Sequence, residues 1–147
     1  MPADSATIDA LKSCCGELPV SEFRGDSRVV VTRENLLEVM RLLKGSRGFD
    51  LLVDLTCVDY LNYRFSDDKR DAADRFGLVY LLANTDTNER LTVRVFVNEP
   101  QPSVPSVVSL WAGANWLERE VFDMFGIRFE GHPDLRRILC SEDWVGH

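Results

Sequence analysis

No stretch of this chain is both long and apolar enough to cross a membrane. The longest uncharged run, Pro100 to Leu117, holds 18 residues, but three are proline and three serine, whereas a span needs about 20 mostly apolar residues. Histidine is scarce: His132 and His147 are the only two. No Cys-x-x-Cys occurs, so an iron–sulfur or zinc site is not expected. Gly45-Ser46-Arg47-Gly48 lacks the spacing and the trailing Lys-Ser/Thr of a phosphate loop, and there is no Gly-x-Gly-x-x-Gly, which argues against nucleotide binding. No Gly-x-Ser-x-Gly elbow exists, so Ser103, Ser106 and Ser109 are expected to be cap and turn residues rather than nucleophiles. Lysine is also rare: of 17 cations only Lys12, Lys44 and Lys69 are lysine, against 24 acids and a net charge of −7. That balance argues against nucleic acid as the main partner, because phosphate binding needs a basic face. An arginine-rich set suits planar, directed ion pairs. The first 20 residues carry Asp4, Asp9, Lys12 and Glu17 and no apolar h-region, so no secretory signal is expected. Cys14-Cys15 is a poor disulfide pattern, and Cys57 lies in an apolar run and reads as core. A reduced, cytoplasmic protein follows.

What is there suffices for one domain: 147 residues, 45% of them hydrophobic, can bury a real core. Residues 1–14 read as a variable lead-in with at most one helical turn around Ile8 and Leu11. Glu17 to Phe23 reads as a first edge strand and Arg28 to Val31 as a second, with turn chemistry at Gly25-Asp26-Ser27. Thr32 is placed to cap a helix in which Leu36, Val39, Met40 and Leu43 recur at helical spacing, with Gly45 as its stop. Leu51 to Val58 reads as a buried strand. From Arg64 to Arg75 eight of twelve residues are charged, as in a solvated hairpin loop. Phe76 to Leu82 and Arg90 to Val97 complete an antiparallel meander, turning through Asn84 to Glu89, with Leu91, Val93, Val95 and Val97 on one side. Leu117, Val121 and Met124/Phe125 form the apolar stripe of a last helix, and Gly126 caps it. The order β-β-α-β-β-β-α-tail gives an α+β domain, a mainly antiparallel sheet with helices on one face. Residues 1–125 form the domain and 126–147 an extended, irregular docking tail continuous with it.

The last helix carries Glu118, Arg119, Glu120 and Asp123. Three acids against one arginine is costly if buried without cations, and Arg128, Arg136 and Arg137 are the natural partners. One reading is therefore a partly buried arginine–carboxylate network that fastens the tail to the helix or to another protein. A second is a solvated acidic face. A third is a paired-carboxylate or metal site with His132, which has little support, because di-metal helix sites need Glu-x-x-His from two helices. Trp116, Phe122, Met124, Phe125 and Phe129 are woven through the same stretch, and aromatics, methionine and arginine together are the composition of interface cores.

The run from Ala114 to Leu139 has a specific order: Glu-Arg-Glu at 118–120, Asp-Met-Phe-Gly-Ile at 123–127, Gly-His-Pro at 131–133 and Leu-Arg-Arg-Ile-Leu at 135–139. It resembles the signature of the C subunit of bacterial NADH–quinone oxidoreductase, respiratory complex I. Glu-Asp-Trp-Val-Gly-His at 142–147 and the Asp54 to Tyr60 strand also look like that family, whereas Cys140-Ser141 stands where its pattern has an apolar residue and Pro. The resemblance implies an accessory subunit of the hydrophilic arm, on the cytoplasmic side of the inner membrane, in a complex that passes electrons from NADH to quinone and translocates ions. It implies docking on the large quinone-site subunit beside the small terminal-cluster subunit, with FMN, iron–sulfur clusters and quinone held elsewhere and no cofactor or metal bound by this chain. It assigns docking and structural roles, not catalytic ones, to Glu118, Arg119, Glu120, Asp123, Phe125, Gly126, Phe129, His132, Pro133, Arg136 and Arg137. Relatives continue with a Pro-containing segment that wraps the partner. The alternatives are the equivalent module of a membrane-bound hydrogenase or formate hydrogenlyase, and a free-standing carboxylate/His metalloenzyme.

Overall fold

The structure, a computed structural model, describes residues 2–60, 75–98 and 100–133. Strand β3 (Leu51–Asp59), strand β4 (Phe76–Ala83) and strand β5 (Arg90–Val97) form the expected meander, pairing antiparallel from Asp59↔Phe76 to Leu51↔Ala83 and from Phe76↔Val97 to Ala83↔Arg90. Period-2 alternation decides which face is buried. Leu91, Val93, Val95 and Val97 are all buried, as are Leu78, Tyr80 and Leu82 across the ladder. The turn at 84–89 is held by Asn84, whose Oδ1 accepts from the amides of Asp86 and Thr87. Opposite the core, Gly77 is needed because a Cβ there would stand 3.0 Å from Tyr60 Cε2 and 3.2 Å from Phe96 Cε1. The solvated loop expected over Tyr60–Arg75 falls largely outside the described residues; at its mouth the Tyr60 amide donates to the Arg75 carbonyl at 2.7 Å.

Strand β1 (Val20–Phe23) and strand β2 (Asp26–Val30) make a hairpin, and β1 is an edge strand as expected. Strand β2 then joins β5 in parallel, with Val29 facing Val93, so the sheet order is β1-β2-β5-β4-β3. Helix α1 (Ser5–Cys15) corrects the reading of a variable lead-in: it runs 11 residues. Asp4 caps it, with Oδ1 accepting from the Thr7 amide at 2.8 Å, and Leu11 is wholly buried. Helix α2 (Arg33–Gly45) buries the four residues its spacing named and ends at Gly45. Thr32 is its N-cap, but no side-chain cap bond forms; only the Thr32 carbonyl accepts, from Asn35 N–H at 3.1 Å. One core joins these helices to the sheet and reaches Trp111 and Ile127. Trp111 Nε1 donates to the buried Phe49 carbonyl at 3.1 Å, which fixes the connection leading into the last helix.

Strand β6 (Ser103–Pro105), helix α3 (Ala114–Phe125) and strand β7 (Arg128–Glu130) complete the described chain. The residues after Gly126 were expected to be irregular from the start, and β7 corrects this: it pairs in parallel with β6, Val104 facing Phe129, and both side chains are buried. Gly126 is the expected cap, left-handed at φ 76°, with its amide donating to the Phe122 carbonyl at 2.9 Å.

Candidate protein-docking site on the last helix

Helix α3 has two unlike sides. The inner one is made by Ala114, Glu118 and Val121, at i, i+4 and i+7, so the buried stripe contains a carboxylate where Leu117 and Met124 had been expected to dominate; Asp123, the helix's fourth buried residue, lies off that stripe. Leu117 and Phe125 are half-buried, and Met124 is 49% exposed. Glu118 is wholly buried. Its Oε1 accepts from Ser106 Oγ at 2.6 Å and its Oε2 from the Val107 amide at 2.9 Å, while Ser106 Oγ accepts from Val108 N–H at 3.2 Å. This corrects the arginine–carboxylate network for Glu118: its partners are a hydroxyl and an amide of the connection before α3, with no cation among them. Burial pushes its carboxyl up to about 7, against the lowering pull of the Ser106 and Val107 hydrogen bonds. Near it lies Tyr80, whose hydroxyl is buried with no partner among the described residues; burial first, then Glu118, then Cys57 push that phenol well up. Cys57 is half-buried and its thiol is raised to about 12 by burial and Asp59.

The outer side is aromatic and charged. Trp116 is 52% exposed, and its Nε1 donates to Glu120 Oε1 at 2.8 Å. The Arg119 guanidinium lies 5.6 Å from the Trp116 ring centre, and that of Arg128 lies 5.6 Å from Phe122. Asp123 is wholly buried. His132 Nε2 contacts the Asn115 carbonyl at 3.1 Å, tying the segment after β7 back to the start of α3. Phe129 is core, whereas Pro133 is exposed. Arg136 and Arg137 lie outside the described residues.

A clasp that the sequence reading missed secures the small sheet. Arg33, first residue of α2, donates from Nε to the Ser103 carbonyl at 2.8 Å and from Nη2 to Glu130 Oε1 at 2.6 Å. Ser103 Oγ also donates to that carboxylate at 3.0 Å. No signal within either local segment pairs residues 33 and 130. Glu118's burial, by contrast, was readable from its position three before Val121 and four after Ala114. Among the described residues, no three histidine, cysteine or acidic side chains gather as metal ligands, and no helix is long and apolar enough to cross a membrane.

An α+β domain with an aromatic, methionine and arginine strip on its last helix is composed as subunits of larger assemblies are. Comparison with known proteins sharpens that class. Residues 29–147 match the family described as the respiratory-chain NADH dehydrogenase 30 kDa subunit, and the chain belongs to it. It is 45% identical over 130 residues to the NADH-quinone oxidoreductase C subunit of Geobacter metallireducens, covering 88% of this chain and 75% of that one. To the corresponding C subunit of a Roseiflexus species it is 43% identical over 152 residues, covering 100% and 82%. Among solved structures, a trypsin-resistant fragment (1–134) of Nqo5 superposes with a TM-score of 0.75 at 40% identity, covering 87% of this chain and 98% of that one. A membrane-bound sulfane sulfur reductase, an archaeal respiratory membrane complex, shares the fold at a TM-score of 0.69 and 20% identity, covering 95% and 75%.

Proposed function

We propose that this chain is a non-redox scaffold subunit of the peripheral arm of NADH–quinone oxidoreductase, on the cytoplasmic side of the membrane. It docks on the large quinone-site subunit beside the small subunit that carries the terminal cluster, and leaves flavin, clusters and quinone to its partners. The observation that carries this reading is the outer side of α3. Trp116 and Met124 are both about half exposed, with Arg119 and Glu120 between them, and a partner that covers them gains apolar burial as well as directed polar bonds. The inner side holds that surface rigid through Glu118, Trp111 and the Arg33–Glu130 clasp. The work of the chain is then positional. Electrons pass through neighbouring subunits, and the chain keeps those subunits in register.

Deleting the chain from a cell that makes the complex tests this directly. NADH–quinone reductase activity is expected to fall with loss of the assembled complex, while the released partner fragments keep their flavin and cluster absorbance and paramagnetic signals. A deletion strain in which the complex still assembles but lacks one redox centre would overturn the proposal.

A further inference from the structure

Trp116, Arg119 and Phe122 follow each other at i, i+3 and i+6 along α3, so they are neighbours on its surface. With Arg128 over Phe122 they make a ladder of two ring–guanidinium pairs, Arg119 on Trp116 and Arg128 on Phe122. Four arginines elsewhere have oxygen partners: Arg33 holds Glu130, Arg47 holds Asp4, Arg75 holds Asp59 and Arg94 holds Tyr60. The two in the ladder have ring contacts, and among the described residues neither guanidinium has an oxygen acceptor; Arg119 Nε is buried with none. Stacking a guanidinium on a ring fixes its plane and leaves N–H donors at its edge for a carboxylate, in Arg119 the two Nη groups, since its Nε is buried. A cation held in place without an anion, beside an exposed Trp116, is half of an interface.

We infer that the partner segment seated on this ladder is acidic, presenting carboxylates to Arg119 and Arg128 and an apolar side chain to Trp116. This rests on the reading of the chain as a complex subunit and names the chemistry of what covers its surface. Carboxylates fit better than an anionic lipid surface, because a chain of net charge −7 is repelled as a whole by such a surface, whereas a short segment can set its carboxylates on the two cations and keep them away from Glu120, which is held by Trp116. Removing either guanidinium weakens docking about tenfold or more, the range found when one member of a desolvated charge pair is lost.

Cross-linking tests it in the whole assembly. Arg119→Lys and Arg128→Lys each place a primary amine on the ladder. A water-soluble carbodiimide activates a nearby carboxylate; the amine displaces it, forming an amide and releasing the urea. The expected result is new amide cross-links from positions 119 and 128 to Asp or Glu of a neighbouring subunit. The double variant Arg119→Gln/Arg128→Gln is expected to be retained in the assembly at least about tenfold less well, with the unfolding midpoint of the isolated chain unchanged. Cross-links confined to this chain's own Asp134, Glu142 or Asp143, with a lowered midpoint for the double variant, would overturn the inference in favour of an internal partner. Normal retention of the double variant would overturn it too, as would retention unchanged but binding to phosphatidylglycerol vesicles lost. Failure of the unmodified chain to enter any NADH-oxidising assembly would sink the functional reading itself.

Discussion

Glu118 makes the stability of this domain depend on pH in an unusual direction. Its carboxyl is raised from an ordinary 4.5 to about 7 because it is buried, so the folded chain holds a proton that the unfolded chain releases near pH 4.5. The stability from this group is fully present below about 4.5 and is lost as pH rises through about 7, then levels off. The difference of 2.5 pH units corresponds to about 3 kcal/mol at 1.36 kcal/mol per unit, an order-of-magnitude figure. Glu118→Gln replaces the ion by a neutral group that still reaches Val107 N–H and Ser106 Oγ. The variant is expected to be more stable by no more than about 1 kcal/mol at pH 5 and by up to about 3 kcal/mol at pH 8. Urea denaturation followed by circular dichroism at half-unit steps from pH 5 to pH 8 reads this as a widening gap in midpoint. The window avoids Asp4 and Asp50, which hydrogen bonds from Thr7 and Thr85 hold below the usual carboxylate range and which stay ionised throughout it. Parallel pH profiles for the two proteins would mean that Glu118 holds no such proton in the folded chain.

Tyr80→Phe removes a buried hydroxyl with no partner among the described residues and is expected to stabilise by about 1 kcal/mol, read as a higher urea midpoint at pH 7. Gly77→Ala drives a Cβ to 3.0 Å from the Tyr60 ring and is expected to cost about 1–3 kcal/mol, while the same change at Gly113, where a Cβ meets nothing within 4 Å, produces no such clash. Met40→Ala, at a wholly buried position, is expected to lose about 2–5 kcal/mol, which calorimetry reads as a lower Tm.

The meander was legible because β5 alternates cleanly and β3 and β4 are apolar runs, and α2 because four apolar residues recur at helical spacing before a glycine. The reading of β3 as buried was wrong, since it is an edge strand with Leu51, Val53 and Val58 exposed. Helix α1 was not, because it buries only Thr7 and Leu11, too few to print a period, although Asp4 stood at its cap. The β6–β7 pair joins two three-residue strands across α3, and no local pattern signals a pairing that short and that distant. The parallel pairing of β2 with β5 is likewise decided by tertiary packing, since Val29 alternates as it would in either direction. On α3 the composition drew attention to the helix but assigned its charges too uniformly. Glu118 is an inner residue held by a hydroxyl and an amide, whereas Arg119 and Glu120, its neighbours, lie around Trp116. The local motif therefore mixes one residue that holds the helix down with others that lie on its outer side, and only the three-dimensional arrangement separates them.

The proposed meeting surface with the large quinone-site subunit is the outer side of α3. Co-expression of the two chains, followed by sedimentation analysis of the purified material, tests it most directly. A one-to-one complex is expected with the unmodified chain, lost or greatly weakened by Trp116→Ala or Met124→Glu, each of which leaves the isolated domain folded. A complex of unchanged affinity with both variants would contradict it.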